Sequence, residues 1–202
     1  MTRTKLRFVE NGDTDIAARK KHLRAYMKER RGENENRDMK ERLLTENFFK
    51  LLQARYPSGL RGKSGLIYLS FSSEVPTDKL IEACEAAGVC VYCPRIEKGE
   101  MLAVRKGEDF TLSAYGIREP VGNAILESVD FVVTPLLAVD AEGNRLGYGG
   151  GYYDGYFRAY PKAYRIGYCY DFQLLPSVPH EKTDEPLDAV VTDLRTVVTN
   201  AR

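Results

Sequence analysis

Apolar positions recur at helical spacing from Ala17 to Arg30, where Leu23, Tyr26 and Met27 share one face, and again from Asp38 to Tyr56, through Leu44, Phe48, Leu51 and Leu52. Two amphipathic helices are expected to open the fold. Gly65 to Phe71 then reads as a strand, Thr77 as the N-cap of a helix running to Ala87, Gly88 as its stop, and Val89 to Cys93 as a second strand. Further strands are expected at Met101 to Arg105, Asp130 to Thr134, Tyr164 to Tyr170 and Ala189 to Thr192. A short helix begins at Tyr152, with Tyr152, Tyr153, Tyr156 and Phe157 at helical spacings. Strands alternating with helices predict an α/β fold with a mostly parallel sheet covered on both faces. No internal repeat or low-complexity linker divides the chain, so one domain is expected over residues 16–202, after a flexible extension over residues 1–15.

After the fourth strand region, and leading into that short helix, lies the run D-A-E-G-N-R-L-G-Y-G-G-G-Y-Y-D-G-Y-F, from Asp140 to Phe157. Gly147, Gly149, Gly150 and Gly151 remove Cβ atoms and permit positive φ, so successive N–H groups can converge on one anion at a helix N-terminus. Arg145 adds a cation just before the turn, and Asp154 adds a carboxylate that a bound Mg²⁺ would reconcile with a phosphate. A plain glycine-rich hairpin, with Asp154 as a helix-start acid, is the competing reading. Neither G-x-x-x-x-G-K-[ST] nor G-x-G-x-x-G after a strand is present. Ligands of open α/β sheets gather beyond the carboxyl ends of strands, which is where both Pro135 to Gly151 and Ser70 to Thr77 are expected.

Composition narrows the class without choosing within it. The 202 residues, 43% hydrophobic, are enough for a sizeable core. No apolar run approaches a membrane span, and the first residues lack a signal-peptide core, so a cytoplasmic protein is expected. Net charge is +1, yet residues 1–63 carry 17 Lys and Arg against 9 Asp and Glu. Both signs alternate there and aromatics are not interleaved with the basic residues, which favours a solvated helical face over nucleic-acid binding. Cys90 and Cys93 form a C-x-x-C inside a strand pattern, where residues three apart point to opposite faces, and with two histidines a zinc site has little to draw on.

The segment G-N-R-L-G-Y-G-G-G-Y-Y-D, from Gly143 to Asp154, resembles the signature of the 5-formyltetrahydrofolate cyclo-ligase family. Supporting matches follow in order: K-K-H-L-R, Y-L-S-F-S-S-E-V, C-P-R-I, Y-G-I-R-E-P and P-L-D-A-V-V-T-D, so the resemblance spans roughly residues 20–194. It implies a Rossmann-like three-layer sandwich related to sugar-phosphate isomerase and CoA-transferase folds. The implied reaction is the ATP- and Mg²⁺-dependent conversion of 5-formyltetrahydrofolate to 5,10-methenyltetrahydrofolate, with ADP and phosphate released. The expected partners are small molecules, a reduced folate and ATP, with no nucleic acid, no membrane and a monomeric chain.

By the same resemblance, Arg145, Tyr153 and Asp154 form the catalytic set. Lys20 and Arg24, four apart on one helical face, would contact ATP phosphates together with Arg145, Leu146, Gly147, Tyr148, Gly149, Gly150, Gly151 and Tyr152, with the neighbouring Lys21 as an alternative contact. Asp154 and Asp188 would hold Mg²⁺, and Asp184 is the near alternative to Asp188. Leu69, Glu74, Tyr115 and Tyr153 would line the folate site, with Glu74 bonding the pterin N–H groups and Tyr115 either stacking on the heterocycle or packing in the core. Two departures stand out: Gly155 follows Y-Y-D where a basic residue is common, weakening that helix by about 1 kcal/mol relative to alanine, and the first fifteen residues have no counterpart. A family paralogue acting on another N-formyl compound is the second reading, and a nucleic-acid-binding module the third.

Overall fold

Neighbouring residues of the central strands send their side chains to different apolar clusters, and this alternation sets the layering. In the computed structural model, residues 15–114 and 116–199 are described; Tyr115 and nearly all of the expected extension lie outside them. Helices α1 (Ile16–Gly32) and α2 (Arg37–Arg55) come first, then β1 (Ser64–Ile67), α3 (Asp78–Ala86) and β2 (Cys90–Glu97). A turn through Lys98 and Gly99, both at positive φ, leads into β3 (Glu100–Arg105), which runs back antiparallel along β2. Strands β4 (Phe110–Leu112) and β5 (Arg118–Pro120) form a separate pair, and β6 (Ile125–Leu126) adds to β3. The chain then returns to the sheet centre as β7 (Phe131–Thr134) and makes a hairpin of β8 (Ala138–Val139) and β9 (Arg145–Leu146). Helix α4 (Tyr152–Ala159), β10 (Tyr164–Tyr168), β11 (Ala189–Val191) and β12 (Thr196–Val198) complete the order.

The main sheet runs β12-β11-β10-β7-β1-β2-β3-β6. Its five central strands, from β11 to β2, are mutually parallel, and β12 and β3 flank them antiparallel. On one face Ile67, Val91, Phe131, Val133 and Val191 meet Leu44, Phe48 and Leu52 of α2 and Leu80, Ile81 and Cys84 of α3. On the other, Leu66, Val132 and Val190 meet Tyr156 and Phe157 of α4. The expected mostly parallel sheet with helices on both faces is therefore observed. Cys93 is buried with the first set while Cys90 is only partly covered, as a strand reading of the C-x-x-C requires.

Two local expectations are corrected. The first strand stops at Ile67 rather than Phe71, because Tyr68 turns inward and its hydroxyl donates to Val75 O at 2.9 Å. Thr77 precedes α3 as expected, but its hydroxyl donates to Tyr68 O at 2.7 Å and accepts from Ser70 N at 3.3 Å instead of capping the helix. Its side chain thus fastens the segment 68–77 as a loop at the carboxyl end of β1. Helix α1 packs outside the sheet: Leu23 and Met27 bury against Leu137, Ala138 and Leu146 of the β8–β9 hairpin. That choice of surface decides which basic residues reach the loops beyond β7.

Candidate active site

The β8–β9 turn is tied down before any functional residue appears. Asp140, buried, accepts from Asn144 N at 2.9 Å, Asn144 Nδ2 at 3.0 Å and Val178 N at 3.0 Å. Gly143 holds φ at +89°, where a Cβ would also come within 2.5 Å of Leu187 O. The turn so fixed delivers Arg145 to the carboxyl end of β7, where its Nη1 donates to Pro135 O at 3.4 Å. Its Nη2 faces both Asp154 oxygens at 3.3 and 3.4 Å, and its guanidinium lies 5.4 Å from the Tyr153 ring centroid. Nε of Arg145 is buried with no hydrogen-bond partner, a donor left unused within the protein.

Asp154 is a partly covered carboxylate, 19% exposed, whose Oδ1 also accepts from Glu185 N at 3.2 Å. The Arg145–Asp154 pair neutralises the charge conflict that the sequence posed between the acid and an anion in the glycine turn. Gly149 and Gly151 adopt φ of +101° and +70°, and Gly151 is the left-handed N-cap of α4, so the loop is built on conformations that side chains rarely adopt. Arg24 braces this loop by donating from Nε to Gly147 O at 2.9 Å, and its guanidinium lies beside Gly149. Leu146 is buried in the apolar contact with α1, while Gly149, Gly150 and Gly151 are exposed.

Lys20 stands nearby but is engaged: its Nζ donates to Asp184 Oδ2 at 2.7 Å and Glu181 Oε2 at 2.8 Å. Burial disfavours its charge, yet the two carboxylates outweigh this and hold its pKa above the ordinary lysine value. Asp184 shows the mirror effect: burial alone would raise its pKa, but the Lys20 bond, the Glu181 N–H and the charge of Arg145 bring it below the ordinary value. Lys21 is exposed to solvent, away from this cluster. Asp188, the other acid expected from the resemblance, has a different set of neighbours. It lies at the amino end of β11, its Oδ2 accepting from Arg165 N at 2.8 Å, among Tyr56 and Tyr164. Of the two acids considered from sequence, Asp184 bonds Lys20 and feels the charge of Arg145.

The loop 68–77 supplies the other wall. Leu69 and Glu74 are 4% and 7% exposed, and Glu74 Oε2 accepts from Phe71 N at 2.9 Å. Burial pushes the Glu74 carboxyl above its ordinary pKa, opposed by Phe71 N–H, by the Tyr148 hydroxyl and by the charge of Arg31. The Tyr153 hydroxyl is also pushed up, first by burial and then by the charge of Glu74, while the charge of Arg145 opposes the shift. Arg31 was missed by the sequence reading. It donates from Nε to Ser73 Oγ at 3.0 Å, from Nη1 to Leu136 O at 3.2 Å and from Nη2 to the Tyr148 hydroxyl. The signal was present: Lys20, Arg24, Met27 and Arg31 fall at successive steps of four, three and four along α1, so three cations share the face that buries.

Fold and site together define an α/β protein whose glycine turn, cations and paired acid gather beyond the carboxyl ends of a mostly parallel sheet. A family model described as the 5-formyltetrahydrofolate cyclo-ligase family matches residues 16–193, and the chain belongs to that family of enzymes. Among relatives, a 5-formyltetrahydrofolate cyclo-ligase of Escherichia coli (strain K12) is 35% identical over 148 residues, 68% of this chain and 81% of that protein. One from Haemophilus influenzae is 32% identical over 158 residues, 73% and 82% of the respective chains. The solution structure of 5,10-methenyltetrahydrofolate synthetase from Aquifex aeolicus superposes with a TM-score of 0.73 at 27% identity, covering 90% of this chain and 93% of that one.

Proposed function

We propose that the chain, as one α/β domain of the isomerase and CoA-transferase type, converts 5-formyltetrahydrofolate to 5,10-methenyltetrahydrofolate using ATP, with ADP and phosphate released. The observation that carries this reading is the Arg145–Asp154 pair beside an exposed glycine turn at the start of α4, with Arg31 joining that turn, through Tyr148, to the loop that carries the buried acceptor Glu74. The family to which the chain belongs and the names of its relatives support the substrate.

An N-formyl oxygen is a poor leaving group. In the proposed sequence it attacks the γ-phosphorus of ATP and ADP departs; N10 then bonds to the activated formyl carbon and loses its proton as phosphate leaves. The protein's contribution is alignment and charge neutralisation. The exposed turn Gly149 to Gly151 would receive phosphate oxygens on its N–H groups, and Arg145, with an unpartnered Nε, would meet the charge that develops on the transferred group. Arg24 holds the turn through Gly147 O, and Lys20 would exchange its carboxylate partners for phosphate. Glu74 would accept from the pterin amino and ring N–H groups, with Leu69 and Tyr153 supplying apolar surface. Tyr115, expected to stack on the folate, keeps that role only as an expectation.

The residues also suit Mg²⁺. Among the described residues no three His, Cys, Asp or Glu side chains cluster, but this ion commonly takes one or two carboxylates and completes its shell with water and phosphate oxygens. Asp154, 19% exposed, would hold it, with Asp188 as the second acid expected from the family and Asp184, which bonds Lys20, as the alternative. Bound there, the ion would supply charge neutralisation for the phosphate oxygens.

The test is to mix purified protein with (6S)-5-formyltetrahydrofolate, ATP and Mg²⁺ and to follow the near-ultraviolet absorbance of the methenyl product. A rise that needs ATP and disappears in Asp154→Ala is expected. ATP binding without any rise would move the reading to another N-formyl substrate.

A further inference from the structure

Tyr148 stands between two loops that the proposed reaction assigns to different substrates. Its hydroxyl accepts from Arg31 Nη2, and the same arginine holds Ser73, the neighbour of Glu74, whose carboxyl the Tyr148 hydroxyl helps to keep charged. A phenol has one donor and can accept, so with its oxygen taken by the guanidinium its hydrogen is left for the carboxylate side. Arg31, 2% exposed, thereby meets Glu74 through the phenol. The other Arg31 donors hold Ser73 Oγ, in the Glu74 loop, and Leu136 O, just beyond β7. Arg37 Nη2 adds a bond to Glu74 O at 2.6 Å, so the Glu74 side of the bridge is firmly anchored.

The Tyr148 side is anchored differently. Its neighbours are Gly147 and Gly149, so the backbone there is the least restricted in the turn. What fixes the ring is the Arg31 bond, the Glu74 contact and two cations, Lys28 Nζ at 5.2 Å and the Arg31 guanidinium at 5.6 Å from its centroid. The ring is nevertheless 43% exposed and can leave. A glycine turn that tightens around phosphate oxygens moves Tyr148 with it.

We propose that the Arg31–Tyr148–Glu74 bridge couples the two substrate sites: the Tyr148 hydroxyl holds the acceptor that a pterin's N–H donors use, and closure of the glycine turn on nucleotide phosphates withdraws it. Tyr148 is thus a positioning residue, and its effect on the folate travels through Glu74. Each ligand then favours the state the other needs, which is positive and reciprocal coupling. This inference rests on the folate and ATP reading above.

The experiment is titration calorimetry of (6S)-5-formyltetrahydrofolate into the protein with and without the β,γ-imido analogue of ATP and Mg²⁺, for wild type and Tyr148→Phe. The substitution keeps the ring and removes the hydroxyl, and a thermal scan verifies that the variant is folded. In the wild type the analogue should tighten folate binding about fivefold or more. In Tyr148→Phe the folate alone should bind as tightly as it does to the nucleotide-bound wild type, with the coupling factor falling towards one. A wild type without coupling, a variant retaining more than half of the wild-type coupling factor, or a variant that binds folate more weakly overturns the proposal. Wild-type protein that binds neither ligand ends the folate reading itself, a result distinct from binding with unaltered coupling.

Discussion

Arg145 and Glu74 carry the sharpest consequences of single side chains. Arg145 is expected to act mainly where charge develops, so Arg145→Ala should lower kcat by about 100- to 1,000-fold. Its contact with Asp154 is long, at 3.3 Å, and Asp154 keeps a second donor in Glu185 N, so the thermal midpoint should move little; a large fall in midpoint with modest loss of rate would instead make the arginine structural. Glu74 works against stability. Burial raises its native pKa above the ordinary 4.5, so the native state holds the proton more tightly than the unfolded chain. The favourable contribution of the protonated form is complete below pH 4.5 and is lost as pH rises through the native pKa. Glu74→Gln, which still accepts from Phe71 N–H, should therefore unfold at a higher temperature than wild type at pH 7, with the gap closing at pH 4. The same variant should bind folate about tenfold more weakly or worse, as calorimetry would register.

Elements obey local rules in most places and depart from them at the site. The α1 and α2 periods, the stop at Gly88 and the alternation in β2 are all observed, because each follows from burying one face of a regular backbone. Gly155 is the test of the propensity argument. It sits inside α4 at an ordinary helical φ, and a Cβ there would meet nothing within 4 Å. Gly155→Ala should therefore raise stability by about 0.5–1 kcal/mol, read as an increase in denaturant midpoint with unchanged slope. Thr77 and Tyr68 were not legible in this way. The Thr77 hydroxyl is suited to capping, but two partners from the end of β1 take it, and no spacing along the chain announces that competition.

At the scale of the molecule, close approach between strands leaves the fewest alternatives. Gly65 of β1 pairs with Phe131 of β7, and a Cβ on Gly65 would fall 2.3 Å from the Phe131 ring, itself fully buried against Phe48. Gly65→Ala should destabilise by about 1–3 kcal/mol and lower the urea midpoint, since neither the ring nor the strand has room to retreat. The sheet order explains why the site lies where it does. Central parallel strands end together, so the loops after β1 and β7 emerge side by side and bring Glu74 within reach of Tyr148 and Tyr153. Sequence by itself determined the helices, most strands, the glycine turn with Arg145 and Asp154, and the family, because these depend on residues adjacent or periodically spaced along the chain. Only the tertiary structure decided that α1 packs on the β8–β9 hairpin, that Arg31 is buried between two loops, and that Asp184 pairs with Lys20 under the charge of Arg145. Those outcomes depend on which apolar surface covers which, a choice among contacts far apart in the chain that no local pattern encodes.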